Sequence, residues 1–253
     1  MLDRAQRLLC GIDPHQMVGL EIGPLDKPLV KKDGASNIYY ADYASRETLQ
    51  KNSMGDGSVD INEIPDIDYV LTAPLPERLD RQFDYVIASH VAEHVPDFLG
   101  WITTIFGWLK PGGRVILAIP DKRYCFDILR NTSTAGQLME AFFERRPYPK
   151  LGAIYDGMRQ AVRFDTARAW SDPHYQGPFE PVFSPGAALY TAKRALEPRV
   201  YQDCHCWVFT YQTFLSVLGE LDALDVAPMV ILRHEAPVYG SNEFHVVLAP
   251  KVS

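Results

Sequence analysis

The sequence predicts an α/β fold: a mostly parallel seven-stranded sheet with an antiparallel last strand and a large insertion after the fifth strand. Three observations predict it. Five short apolar runs recur between Met17 and Ile119, separated by connecting segments. Apolar runs of this kind, the first interrupted by one acid at Glu21, suit parallel strands buried on both faces. The run from Phe83 to Asp121, FDYVIASHVAEHVPDFLGWITTIFGWLKPGGRVILAIPD, reads strand, loop, helix, tight turn, strand. After Thr210 a helical face precedes two apolar runs joined too tightly for a helical crossover, so those two strands pair antiparallel.

The elements follow in order. Met1 to His15 reads as a short entry helix, with Leu8 and Leu9 apolar. The first strand is Met17 to Ile22, ending at Gly23-Pro24; the second is Asn37 to Ala41, ending at Asp42. Ser45 caps a short helix to Lys51. The Gly-, Ser- and Asp-containing stretch from Ser53 to Asp60 is a loop. The third strand is Ile67 to Thr72, closed by Pro74 and Pro76; the fourth is Phe83 to Ala88 and the fifth Arg114 to Ile119. Between the last two, Asp97 caps a helix whose Phe98, Ile102, Ile105 and Leu109 recur at helical spacing, and Lys110-Pro111-Gly112-Gly113 ends it. From Asp121 to about Phe209 the pattern dissolves into Pro, Tyr, Arg and Trp. Helices are expected at Thr134 to Arg145 and within Lys150 to Arg168, and a long loop from Pro173 to Gly186. Thr210 then caps a helix with Tyr211, Phe214, Leu215, Leu218 and Leu221 on one face, followed by strands at Val226 to Leu232 and Asn242 to Leu248. Three parts result: residues 1–120 as the cofactor half of the core, 121–209 as an inserted substrate or lid lobe, and 210–253 as the helix and strands that complete the core.

Composition narrows the class. A chain of 253 residues, 47% hydrophobic and 23% charged, is long enough for one sizeable core with an inserted lobe. The net charge of -7 argues against a nucleic-acid backbone as main partner. The four cysteines (Cys10, Cys125, Cys204, Cys206) contain no C-x-x-C and suggest no disulfide framework. No apolar run follows the first basic residues, and none approaches the roughly 18–20 residues that span a bilayer. A cytoplasmic protein without a membrane span is the expectation.

In an open α/β sheet, ligands bind at the carboxyl ends of the strands. A glycine after the first strand, Gly23 in Glu21-x-Gly23, lets a ligand approach the backbone closely. An acid at the tip of the second strand, Asp42, can accept hydrogen bonds from both hydroxyls of a ribose; the plainer role is a turn cap.

Together, VGLEIGP (Val18 to Pro24), YYADY (Tyr39 to Tyr43), FDYVIASHVAEHVPD (Phe83 to Asp97) and LKPGGRVILAIPD (Leu109 to Asp121) resemble the class I S-adenosylmethionine-dependent methyltransferases in order and spacing. The resemblance covers Met17 to Pro120 and about Thr210 to Pro250. The form SHVAEHVPD…IPDKRYCFD is similar to methyltransferase-domain proteins of bacterial glycan biosynthesis. The resemblance implies a Rossmann-like core with S-adenosylmethionine as cofactor, and methyl transfer to a small-molecule or glycan-type acceptor, most readily at oxygen. Glu21, Gly23 and Pro24 would hold the amino acid part of the cofactor and Asp42 its ribose. Thr72 stands where many relatives carry an acid for the adenine amine. Ser89 and His90 would lie beside the sulfonium, and His94 in the loop that follows. Two departures stand out: Pro24-Leu25 replaces further glycines, and Pro28 and Gly34 leave the usual first helix short or lost. A methyltransferase-like domain without activity, serving as a binding or regulatory module, is the alternative. A short Rossmann oxidoreductase is disfavoured, because no G-x-G-x-x-G follows the first strand.

Methyl transfer needs alignment, exclusion of water and, for an acceptor that loses a proton, a base. His90, directly after the fourth strand, and His205, where the inserted lobe rejoins the core, are the candidate bases. Either histidine can equally serve a structural hydrogen bond. Asp121, Lys122, Arg123 and Tyr124 follow the fifth strand on the same edge and are the candidate acceptor contacts, the cations suiting an anionic group. The aromatics Trp170, Tyr175, Phe179, Phe183 and Tyr190 can form a stacking lid or the small core of the lobe. No metal site is expected, since Asp203-Cys204-His205-Cys206 cannot easily close a tetrahedron from one short segment.

Overall fold

The buried apolar runs do form the central sheet. The computed structural model describes residues 2–72, 74–197, 201–227 and 229–251. Met1 of the expected entry helix and Pro228 of the expected strand from Val226 lie outside them. Seven strands stand in one sheet: β1 (Gly19–Ile22), β2 (Ile38–Asp42), β3 (Tyr69–Val70), β4 (Phe83–Ser89), β5 (Leu109–Pro120), β8 (Met229–Glu235) and β9 (Glu243–Pro250). Their order is β3-β2-β1-β4-β5-β9-β8. The first five pair in parallel, and β9 runs antiparallel to both β5 and β8. The strand order turns back beside β1 and β4, which puts the ligand-binding crevice over their carboxyl ends.

One face of the sheet carries the larger core. It is covered by α3 (Phe98–Phe106), α4 (Ala135–Glu144) and α8 (Tyr211–Ala223), through Leu99, Ile102, Leu138, Phe214 and Leu218. Asp97 caps α3 by accepting from Gly100 N–H, while Thr134 and Thr210 open α4 and α8 with reciprocal capping boxes. The opposite face is covered by α1 (Arg4–Leu8), through Leu8, and by the segment after β1, through Val30. Residues 24–36 contain no helix, as Pro28 and Gly34 imply. The short α2 (Arg46–Asn52) follows Ser45, as expected.

Several boundaries differ from the sequence expectation, each for a local reason. β5 starts at Leu109 instead of Arg114, because Leu109 pairs with Phe83 before the Pro111–Gly113 turn shifts the register. β3 is confined to Tyr69–Val70, an edge strand with a single partner, and leaves Thr72 exposed beyond it. The expected helix within Lys150 to Arg168 is two, α5 (Leu151–Arg159) and α6 (Thr166–Ser171). Between them β6 (Val162–Arg163) pairs with β7 (Glu180–Pro181). The expected loop to Gly186 ends early because Ser184 caps α7 (Pro185–Arg194), with proline at its first position.

Gly19 shows how tightly β1 and β4 meet. A Cβ there would lie 2.2 Å from Tyr85 Cζ and 2.4 Å from its hydroxyl oxygen. The Tyr85 ring is fully buried and cannot swing away. Gly19→Ala is therefore expected to destabilise the protein by about 3 kcal/mol, the upper range for overpacking. The urea-unfolding midpoint measures this; a midpoint equal to wild type would show that Tyr85 can repack.

Candidate active site

The carboxyl ends of β1 and β4 open into a cleft of about 810 Å³. Its lining includes Arg4, Glu21, Gly23, Pro24, Ser89 and His90. Gly23 turns the chain away from β1 with φ +67°, and a Cβ there would meet Val91 Cγ2 at 2.7 Å. Glycine thus serves both the left-handed turn and the close approach. Glu21 is buried, and its two oxygens accept the Leu29 and Val30 N–H groups at 2.7 and 3.1 Å. Burial pushes its carboxyl up to about 7, against the pull of those two hydrogen bonds. Glu21 therefore fastens the loop that replaces the first helix.

Asp42 stands at the tip of β2, one residue beyond Ala41, whose carbonyl accepts Gly23 N–H at 2.9 Å. It is buried, and among the described residues its carboxylate accepts one hydrogen bond, from Tyr43 N–H at 2.7 Å. Burial raises its pKa to about 6. The carboxylate has acceptor capacity to spare at the carboxyl end of β2, the strand beside β1, and is not among the residues that line the cleft.

Ser89 ends β4 and His90 follows it, in the left-handed region with φ +54°. They belong to a charge network centred on Glu243, the first residue of β9. Glu243 Oε1 accepts Arg4 Nε–H at 2.7 Å and His245 Nε2–H at 2.9 Å; Oε2 accepts Arg4 Nη2–H at 2.9 Å and His90 Nε2–H at 2.8 Å. Arg4 also donates to Ser89 Oγ at 2.6 Å. Burial alone would raise the Glu243 carboxyl, but these donors hold it well below the usual carboxylate range. Burial works against a charged His90, yet Glu243 and Glu93 outweigh it and raise His90 to about 9. No local sequence signal marks Arg4 or Glu243, which stand 239 positions apart.

Beyond His90 the chain makes one 3-10 turn, Ala92–His94. It brings Glu93 and His94 beside His205, whose ring lies 4.7 Å from that of His94, edge to face. His205 Nδ1–H donates to Asp127 at 2.5 Å, and Asp127 is also paired with Arg130 at 2.8 Å. His94 Nδ1–H donates to Asp203 at 2.9 Å. The return of the inserted lobe is tied in here, since Cys206 and Trp207 N–H both donate to Glu93 C=O. His205 and His94 thus meet, whereas Cys206 Sγ points to His94 C=O and takes no part in a sulfur ligand set.

The Asp121–Tyr124 segment divides. Asp121 is fully buried, accepts Tyr211 N–H at 2.9 Å and bridges to Phe209, so it clamps the point where the lobe leaves and returns. Arg123 is held bidentately by Asp121, 2.8 Å from each oxygen, and Lys122 Nζ donates to Ile128 C=O at 2.7 Å. These two cations serve the fold. Tyr124 stacks flat on Trp170, centroids 3.8 Å apart, and Trp170 leans on Tyr239 of the cleft wall. Tyr175 and Phe179 pack with Phe164 as a small lobe core, while Phe183 and Tyr190 are exposed.

A parallel sheet that turns back beside β1, an antiparallel β9 and a glycine-turned edge define a class I methyltransferase fold. A family model described as a methyltransferase domain matches residues 5–201, and the chain belongs to that family. No curated protein matches the chain. Among solved structures it is similar to an S-adenosylmethionine-dependent methyltransferase from Mesorhizobium loti, at 14% identity and TM-score 0.49, covering 96% of this chain and 97% of that one. It is also similar to an S-adenosylmethionine-dependent methyltransferase from Clostridium acetobutylicum, at 11% identity and TM-score 0.46, covering 94% and 87%. A third is the CcbJ methyltransferase from Streptomyces caelestis, at 10% identity and TM-score 0.46, covering 98% and 88%. S-adenosylmethionine is the cofactor that goes with this family, and the residues present fit it: a cradle that only glycine leaves open and a buried carboxylate with unused acceptors. Among the described residues no helix is long and apolar enough to cross a membrane.

Proposed function

We propose that the protein transfers a methyl group from S-adenosylmethionine to an oxygen of a small-molecule or glycan-type acceptor. The carrying observation is that the cofactor cleft and the Glu93–His94–His205 cluster share one sheet edge, joined through His90, whose Nδ1 stands 3.5 Å from Glu93 Oε1. When bound, S-adenosylmethionine supplies a methyl carbon already activated by its sulfonium. Gly23 and Pro24 line its approach, Asp42 takes the ribose hydroxyls, and Ser89 and His90 flank the reacting end. Thr72, exposed past the short β3, contributes at most a rim contact to the adenine.

An acceptor hydroxyl has to lose its proton. We assign that work to the cluster led by His205 rather than to His90. His90 is held protonated by two carboxylates and is a fixed cation, which suits positioning but not proton acceptance. His205 has its Nδ1 fixed on Asp127, which leaves Nε2 as the working atom. The inserted lobe, residues 121–209, covers the acceptor side. Tyr239 on the cleft wall is 75% exposed and backed by Trp170 and Tyr124, so an aromatic face is presented to a sugar or other ring.

The test uses methyl-labelled S-adenosylmethionine with separate panels of hydroxyl acceptors (sugars and nucleotide sugars) and amine acceptors. Label transfer to at least one hydroxyl acceptor is expected. Transfer confined to amines would refute the oxygen assignment, and no release of S-adenosylhomocysteine with either panel would favour a non-catalytic binding module.

A further inference from the structure

Glu93 is 1% exposed, and among the described residues neither of its carboxylate oxygens has a hydrogen-bond partner. A bare carboxylate in that position is costly unless a cation faces it. His90 Nδ1 lies 3.5 Å from Glu93 Oε1, at ion-pair distance without hydrogen-bond geometry. His94 Nε2 and His205 Nε2 stand 3.9 and 4.0 Å from the same oxygen. The donor atoms of the three residues all lie within 4.8 Å of one another. The spacing is too wide for hydrogen bonds and for a closed coordination shell. Ligands about an ion at ~2.1 Å stand roughly 3.0–3.4 Å apart, so side-chain rotations that bring the donors roughly 0.5–1.5 Å closer close it.

The supporting groups point the same way. His94 donates its Nδ1–H to Asp203 and His205 its Nδ1–H to Asp127. Each carboxylate fixes the tautomer that leaves Nε2 as a lone pair aimed at the cluster, the arrangement that metal-binding histidines use. Arg130 in turn anchors Asp127 at 2.8 Å. His94 is 30% exposed on its side chain, so the cluster has an opening through which an ion can enter.

We infer that Glu93, His94 and His205 bind one divalent transition-metal ion of the zinc, cobalt or iron class, with Asp203 and Asp127 as positioning residues. Two imidazoles and one carboxylate favour such an ion over magnesium or calcium, which prefer all-oxygen shells. Three protein ligands leave coordination positions free for an acceptor oxygen. That use of the ion rests on the methyl-transfer reading; the binding of the ion does not. With the ion in place, His205 Nε2 is a ligand instead of the base, and the ion would acidify a coordinated acceptor hydroxyl so that its proton leaves to solvent water.

The experiment titrates chelator-treated, desalted protein with ZnCl2 by calorimetry and with CoCl2 by visible absorption, and titrates S-adenosylhomocysteine in parallel. One equivalent of Zn2+ is expected, with visible Co2+ bands and a raised melting temperature. Glu93→Gln should weaken Zn2+ at least 100-fold. Circular dichroism should show its metal-free form folded, so that lost Zn2+ affinity reports the missing ligand and not unfolding. Asp203→Asn, at an exposed position, should weaken Zn2+ about 10–100-fold, the usual effect of losing a carboxylate behind a metal-bound histidine. Absence of stoichiometric Zn2+ binding in protein that binds S-adenosylhomocysteine would overturn the metal site alone. Zn2+ affinity unchanged in Glu93→Gln would place the ion elsewhere, for instance on Cys204 and Cys206, and would overturn it equally. Zn2+ binding without S-adenosylhomocysteine binding would uphold the site and refute the methyl-transfer reading.

Discussion

Glu243→Gln is expected to lower stability by about 3–5 kcal/mol, the range for breaking a buried charge network by removing one partner. The carboxylate accepts four charge-assisted hydrogen bonds, from Arg4 twice, His90 and His245. Glutamine offers one carbonyl oxygen and turns an NH2 group toward the other donors. His245 is almost fully buried and shares one of the two carboxylate oxygens with Arg4. In either orientation of the amide Arg4 loses one of its three contacts and faces an NH2 group instead, so α1 is held less firmly to the sheet edge that walls the cofactor cleft. Two measurements follow: the urea-unfolding midpoint should fall, and trypsin should cut after Arg4 and Arg7 faster than in wild type. An unchanged midpoint together with an unchanged cleavage rate would mean that α1 is held by Leu8 packing alone.

Asp42→Asn is expected to weaken S-adenosylhomocysteine about 10–100-fold while leaving the ligand-free protein as stable as wild type or more so. The two effects have one cause. Burial raises the Asp42 pKa to about 6, above its ordinary 3.8, so the folded state holds this proton more tightly than the unfolded chain. Between those values stability falls as pH rises, and above about 6 the full cost of the buried charge is present. Asparagine removes that cost. It also removes an acceptor for the ribose, and hydrogen bonds to a charged group are worth about 1.5–3 kcal/mol. In wild type, affinity for S-adenosylhomocysteine should therefore rise as pH increases through about 6 and level off above it, while the Asn variant should show no such rise. Parallel pH profiles for the two proteins would remove Asp42 from the ribose site.

The fold was legible because its signals are local. Each central strand is an apolar run, the α3 helix carries its own cap and breaker, and β8 and β9 are too close in sequence for a crossover. Edges were read less well: β3 shortened because it has one partner, and β5 lengthened through a bulge at Pro111–Gly113. The site was legible only where residues follow a strand directly. Gly23, Asp42, Ser89 and His90 sit on the expected edge for that reason. Lys122 and Arg123 also follow a strand, but their charges are taken by Ile128 C=O and Asp121, which composition does not reveal. Arg4 and Glu243 are 239 positions apart, and Asp127 and His205 are 78 apart; no spacing rule joins such pairs. Glu93 carries no signal in the loop that follows β4, because its two oxygens are left without partners among the described residues only by the way the chain closes around it.

The central claim is that the β1–β4 edge is an S-adenosylmethionine site. Calorimetric titration of the intact protein at pH 7.5 with S-adenosylhomocysteine, and separately with NAD, tests it most directly. One equivalent of S-adenosylhomocysteine should bind, more weakly in Asp42→Asn, and NAD should not. Binding of NAD in preference to S-adenosylhomocysteine, or of neither, would contradict the account.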